Sequence, residues 1–428
     1  VSKQPTVVFF PEGAYGPTNN CVGIGQQLLT RGVRVVFIVE ESFAGNLEAQ
    51  GFEERLMRLG PAPEVPEVPG QFWKDFIRET APEFRKPTIE QLASFIVPTF
   101  EALMDGSRYV QPRLLEILDE LQPDVVCEDN VVSFPALPAH ARRWVRILSC
   151  NPAELHDESV PPVFSGYATA DRTGWSEYWT EYERLTEDSW GSFDAFCRES
   201  GAPPLPSRRA FMHSSPDLNL YLYPAEADYA RSVPLDGTWH RLDSCVRETG
   251  ATFTIPEHLA TGPGRLVYLS LGSLGSADVD LMQRLVDVLG ASDHRVIVSK
   301  GPQADLIRLH DNMWGEEFVP QPAIIPLVDV VISHGGNNTT TECFHHGKPI
   351  VALPLFWDQY DNAQRVHELG LGVRLSTYGF ADAELAAAIE RLAGDAALST
   401  RLSAISARLQ ASPGTVKAAD LIERLARS

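Results

Sequence analysis

The amino-acid sequence predicts an α/β protein made of two doubly wound parallel-sheet domains. Three observations carry that class: the length of 428 residues, an apolar strand–helix–strand alternation at the start, and a second such series beginning near Leu266. A chain this long exceeds one ordinary core, and alternating β and α segments give parallel sheets with helices on both faces.

Taken in order, Val7–Phe10 is an apolar run, a glycine-containing loop follows, and a helical pattern runs from Cys21 to Arg31 until Gly32 stops it. A second apolar run, Val33 to Val39, completes a βαβ unit. Asp124–Cys127 and Trp144–Leu148 read as further strands, and Leu218–Leu222, alternating at period two, as the last strand of the first domain. Leu155 to Ser214, rich in Trp, Tyr, Glu and Asp, reads as helices and loops on one side of that domain. Residues 237–263 have mixed charge and no sustained period, so the linker is expected there. Strand Leu266–Ser270, the turn Leu271-Gly272-Ser273, helix Val279–Leu289 and strands Arg295–Val298, Val328–Ser333 and Pro349–Pro354 form the second series. The closing segment Thr415–Arg427 carries an apolar stripe of Ala418, Leu421, Ile422 and Leu425.

Composition narrows the function. Apolar content of 44% and charged content of 22% fit a globular protein. A formal charge of −21 argues against a nucleic-acid binder, which carries a basic patch. No apolar run reaches the ~18 residues of a membrane span, and Val1-Ser2-Lys3-Gln4-Pro5 shows no leader pattern. The six cysteines are scattered without CxxC spacing, which indicates neither a zinc site nor a disulfide framework. A cytoplasmic protein is expected.

The most specific signal lies between Phe318 and Asn362. An apolar strand leads into Ser333-His334-Gly335-Gly336-Asn337-Asn338-Thr339-Thr340-Thr341-Glu342, then Gly347-Lys348-Pro349, and a further strand leads to Phe356-Trp357-Asp358-Gln359. A glycine pair between a strand end and a helix start lets a ligand approach the backbone, and free helix N–H groups suit a diphosphate. His334 adds a donor. Each residue alone also has a bland reading: Asn338 as an N-cap, Thr339 with Glu342 as a capping box, and His334 as a core histidine. Asp278-Val279-Asp280 has the form of a metal-binding DxD, but first-turn carboxylates at a helix start explain it. His345-His346 reads as a helix C-terminus. The set Trp175, Tyr178, Trp179 and Tyr182 has helical spacing and reads as core before it reads as an acceptor cleft.

Taken together, Phe318-Val319-Pro320-Gln321, His334-Gly335-Gly336, Asn338-Thr339-Thr340, Glu342, Gly347, Pro349 and Asp358-Gln359 resemble the donor-binding signature of family 1 glycosyltransferases. Ser270-Leu271-Gly272-Ser273 is similar to that family's glycine-serine turn. The resemblance implies a GT-B fold, in which two Rossmann-like domains face a cleft, with inverting chemistry and no required metal or other cofactor. It implies an acceptor-binding domain over 1–240, a nucleotide-sugar domain over 241–412, and a helix over 413–428 that crosses back to the first domain. His334, Asn338 and Thr339 would meet the diphosphate, with Gly335 and Gly336 beneath it and Ser273 opposite. Glu342 would accept from the ribose hydroxyls, Asp358 and Gln359 would hold the sugar, and the main chain near Gln321 with Phe318 would meet the base. The implied partners are a UDP-sugar or another nucleotide sugar and a small hydrophobic acceptor, with a homodimer left open.

Three positions depart from the pattern. Phe318 stands where the family often has Trp, and Asn337 where many members have Trp, Met or Ala. The family's catalytic histidine follows the first strand, but here Pro17 falls in its place and the first 100 residues contain no histidine. Its aspartate partner matches Asp129. Asp129 acting directly, Glu12, or an acceptor that needs little deprotonation are the readings that follow. A helix cap is the bland reading of Asp129. Two rival functions stay in view: a nucleotide-sugar-binding partner or activator that has lost its base, and a nucleotide-sugar epimerase.

Overall fold

The computed structural model describes residues 4–61 and 78–428. Val1–Lys3, part of the segment read for a leader pattern, lie outside them. Two all-parallel sheets organise the chain. The first has the order β3-β2-β1-β4-β5-β6-β7, with β1 Thr6–Pro11, β2 Arg34–Val39, β3 Glu53–Leu56, β4 Val125–Asp129, β5 Trp144–Leu148, β6 Leu218–Tyr221 and β7 Trp239–Arg241. The second has the order β10-β9-β8-β11-β12-β13, with β8 Leu266–Ser270, β9 Arg295–Ser299, β10 Met313–Glu316, β11 Val330–Ser333, β12 Ile350–Ala352 and β13 Gly372–Arg374.

All six residues of β1 are buried, because helices cover both faces of the sheet. Each order reverses once, between β1 and β4 and between β8 and β11. Crevices at such switch points, outside the strand carboxyl ends, are where open α/β sheets bind ligands.

The sequence reading needs three corrections. The first helix spans Tyr15–Thr30, starting six residues before Cys21. Gly16 and Pro17 suggest a loop, yet first-turn N–H groups have no intrahelical partner, so Pro17 fits there. Leu218–Tyr221 is not the last strand of the first sheet, because Trp239–Arg241 adds a seventh from inside the expected linker. Finally, edge strands β3, β10 and β13 join segments that carry no sustained apolar run.

The helix Gly414–Arg427 packs on the first sheet's side of the molecule. Ala418, Ala419 and Ile422 share a core with Val7, Phe9, Cys21 and Ile24. Arg31 holds Asp420 at 2.7 Å, and a Cβ on Gly23 would come 3.1 Å from Thr415. Among the described residues no helix is long and apolar enough to cross a membrane.

Candidate active site

At the second switch point, β8 ends in the turn Leu271-Gly272-Ser273 and β11 ends in Ser333-His334, followed by the helix Asn337–His345. Gly272 has φ +74° and Gly335 φ +85°, left-handed values that favour glycine. The imidazole of His334 lies between the two loops: a Cβ would come 2.8 Å from its Nε2 on Gly272 and 2.7 Å on Gly336. The glycines therefore make room for this ring. Burial lowers the His334 pKa to about 4, so the ring is neutral at pH 7, with Nδ1 3.2 Å from Ser333 Oγ. His334 thus sits between the turn that carries Gly272 and the start of the helix Asn337–His345. Gly336, not Asn338, holds the N-cap position, which removes the cap reading of Asn338.

One turn along that helix, buried Glu342 does not close a capping box. Its Oε2 accepts from Gln321 Nε2 at 2.6 Å, and its Oε1 lies 3.6 Å from an Arg247 guanidinium nitrogen. Gln321 also donates to Thr339 Oγ1 (3.2 Å) and accepts from the Tyr268 hydroxyl (3.2 Å). Burial raises the Glu342 pKa, while Arg247 and Gln321 pull it down. Phe318 is 57% exposed, an aromatic face presented to solvent three residues before Gln321.

Several signature side chains reach across to the first sheet. Asn338 donates to the Gly16 carbonyl (2.9 Å) and accepts from Asn20 (2.7 Å). Asn337, at the family's variable position, donates to the carbonyls of Ser149 (2.7 Å) and Leu222 (2.9 Å). Asp358 accepts from the Asn151 N–H (2.8 Å), and Asn151 also donates to Asn362 (2.8 Å). Gln359 turns inward, its Oε1 accepting from the N–H groups of Leu355 and Phe356. Asn338 and Asp358 thus join the two halves in this structure, and Gln359 braces its own loop.

At the first switch point, Pro11 pairs with Asp129 across β1 and β4, and Glu12 N–H donates to the Asp129 carbonyl (2.9 Å). Asp129 does not cap a helix. Its Oδ1 accepts from Ser149 Oγ (2.9 Å), and its Oδ2 is buried without a hydrogen-bond partner among the described residues. Burial raises its pKa to about 8, against the Ser149 bond and helped by the charge of Glu12. Glu12 is half-buried, and burial followed by repulsion from Glu40 and Glu154 raises it to about 7. Two carboxyls with raised pKa values thus lie at the carboxyl ends of β1 and β4, where the first helix begins. Desolvation is what makes a carboxylate a useful base near neutral pH.

No sequence pattern marks Arg247, a linker residue whose neighbour Glu248 is bonded through its backbone to the Gln26 side chain of the first helix. Nor did it point to Asn151, whose role depends on how the two halves meet. The DxD pattern resolves as structure: Asp278 caps its helix by accepting from Leu281 N–H. Trp175 and Tyr178 are core, and Tyr182 is buried as well. Among the described residues no group of three or more His, Cys, Asp or Glu is arranged to hold a metal ion.

Comparison with known proteins finds glycosyltransferases. The family "Erythromycin biosynthesis protein CIII-like, C-terminal domain" matches residues 283–425. The demethyllactenocin mycarosyltransferase of Streptomyces fradiae is 25% identical, covering 99% of this chain and 87% of that protein. The oleandomycin glycosyltransferase of Streptomyces antibioticus is 26% identical over 97% and 90%. Among solved structures, the glycotransferase of kitacinnamycin superposes with a TM-score of 0.71 at 22% identity, covering 99% of each chain. Glycosyltransferase VinC in complex with dTDP gives 0.64 at 18%, over 98% and 99%. The chain has the GT-B fold and is similar along nearly its whole length to macrolide and antibiotic glycosyltransferases.

Proposed function

We propose that this protein transfers a hexose from a nucleoside diphosphate sugar to a small hydrophobic acceptor, with inversion at the anomeric carbon and without a metal. The observation that carries this reading is the cradle in which neutral His334 sits between Gly272 and Gly336 at the start of the helix Asn337–His345, with Glu342 one turn further on. Preorganised N–H donors stabilise a leaving diphosphate as its charge develops. Glu342 takes the ribose hydroxyls and Phe318 stacks on the base. Asp358 and Gln359 meet the sugar once Asp358 releases the Asn151 N–H. UDP is the first donor to test and dTDP the second, because relatives carry thymidine diphosphate.

Residues 1–240 would hold the acceptor and 241–412 the donor, with 413–428 tying the second unit to the first. The acceptor hydroxyl attacks from the face opposite the diphosphate, so one displacement inverts the centre. Its proton passes to the carboxylate pair Asp129 and Glu12. Asp129 is the leading base, and Glu12 is the member that reaches solvent.

A second reading, a nucleotide-sugar-binding partner without activity, draws on Pro17 in the histidine's place and on the bonds that hold Asn338 and Asp358 to the first sheet. The deciding experiment incubates the protein with UDP- and dTDP-hexoses and a panel of phenols and macrolides, with products read by mass spectrometry. Glycosides support transfer. Nucleotide binding without product supports the partner reading, and an epimerised sugar would make the protein an epimerase.

A further inference from the structure

The face of the first sheet away from the first helix carries an unusual strand. β5 places Arg146, 5% exposed, in the middle of a buried apolar run. Arg146 is paired with Glu154 and lies under the Trp239 ring, 5.5 Å from its centroid. Its Nε is buried without a hydrogen-bond partner among the described residues, and so is His156 Nε2. A buried donor left open is costly, and an acceptor atom entering beside it would satisfy it.

Both residues line a cavity of about 250 Å³, walled by Phe100, Tyr182, Phe211 and Trp239. The volume lies just under the ~300–1,000 Å³ usual for small-molecule sites, so it suits part of an acceptor, one or two rings across. Glu154 connects the cavity to the chemistry. It lines the wall, and its charge helps to raise the carboxyls of Glu12, Asp129 and Asp358. The two cations of the lining are already paired, Arg146 with Glu154 and Arg209 with Glu183, so a further full negative charge would lack a counter-ion. A neutral oxygen would not.

We infer that this cavity receives a planar aromatic portion of the acceptor bearing a carbonyl oxygen, and that this oxygen accepts from Arg146 Nε–H. The inference rests on the transferase reading for the identity of its ligand, but it is tested by binding without donor. The probes are 4-hydroxyacetophenone and 4-ethylphenol, which match in size and differ in the carbonyl. Titration followed by tryptophan fluorescence should show the ketone binding at least about tenfold more tightly, the effect of one hydrogen bond to a charged group.

The double variant R146M/E154Q removes both charges together, leaving no buried charge unpaired. It should keep wild-type UDP affinity, and the preference for the ketone should fall below about threefold. Equal affinity of the wild-type protein for both probes would overturn the inference, as would a preference that survives in a folded double variant. Absence of both nucleotide binding and product would instead sink the transferase reading.

Discussion

Changing Glu342 to Gln tests the ribose assignment with little change of shape. The wild-type carboxylate is 4% exposed, accepts from Gln321 at 2.6 Å and faces Arg247 at 3.6 Å. The amide keeps one acceptor oxygen for Gln321 but removes the charge, so bound ribose hydroxyls lose their ionised partner. Hydrogen bonds to a charged group contribute about 1.5–3 kcal/mol, which corresponds to a rise in Kd of about 10- to 150-fold. Calorimetry with UDP and with dTDP at pH 7.5, alongside thermal melting of the variant, reads this directly. A folded E342Q protein with wild-type nucleotide affinity would refute the assignment and leave Glu342 as a strut for Gln321.

Further predictions concern neighbouring groups. Arg247→Ala removes the cation that opposes burial at Glu342, so more of that carboxyl is protonated at a given pH. UDP binding measured by calorimetry should weaken about fivefold at pH 6, the size of a ~1 kcal/mol partly exposed ion pair, and recover as pH rises. Asp129→Asn should lower kcat by about 10²–10⁴, less for acidic phenols than for aliphatic alcohols, with unchanged UDP affinity. A base works in its ionised form, so wild-type kcat/KM should climb with pH through about 7 to 8, the values of Glu12 and Asp129. Gly336→Ala would drive a Cβ to 2.7 Å from His334 Nε2. At about 1–3 kcal/mol for overpacking, UDP titration should show clearly weaker binding in G336A and little further loss when it is combined with H334A.

The elements legible in the sequence are those that burial dictates. β1, β2, β4, β5, β8, β9, β11 and β12 contain apolar stretches that a covered parallel sheet requires, and β6 alternates Leu218 and Leu220 around Asn219. The edge strands Glu53-Glu54-Arg55-Leu56 and Trp239-His240-Arg241 are held by pairing along one side and carry charge, so no run marks them. The cradle was legible because its parts are local: strand end, glycine pair and helix start within a few residues. Glu342 could be read as cap or ligand from sequence, and its bond to Gln321, 21 positions away, sets the cap aside. The cross-sheet partners of Asn337, Asn338 and Asp358, and the reach of Arg247, depend on how the two halves meet, which no local pattern encodes. Asp129 was singled out by its match to a family position. Its unpartnered oxygen and its proximity to Glu12 follow from the β1–β4 register.

The most direct test of a metal-independent, inverting transferase that works without the usual histidine is the anomeric configuration of its product. An α-configured UDP- or dTDP-hexose and a phenolic acceptor would be incubated with the protein in EDTA, and the glycoside examined by proton NMR. The predicted result is a β-glycoside formed at the rate seen without chelator. An α-glycoside, an absolute need for added Mg²⁺ or Mn²⁺, or free nucleotide with no glycoside would contradict the account.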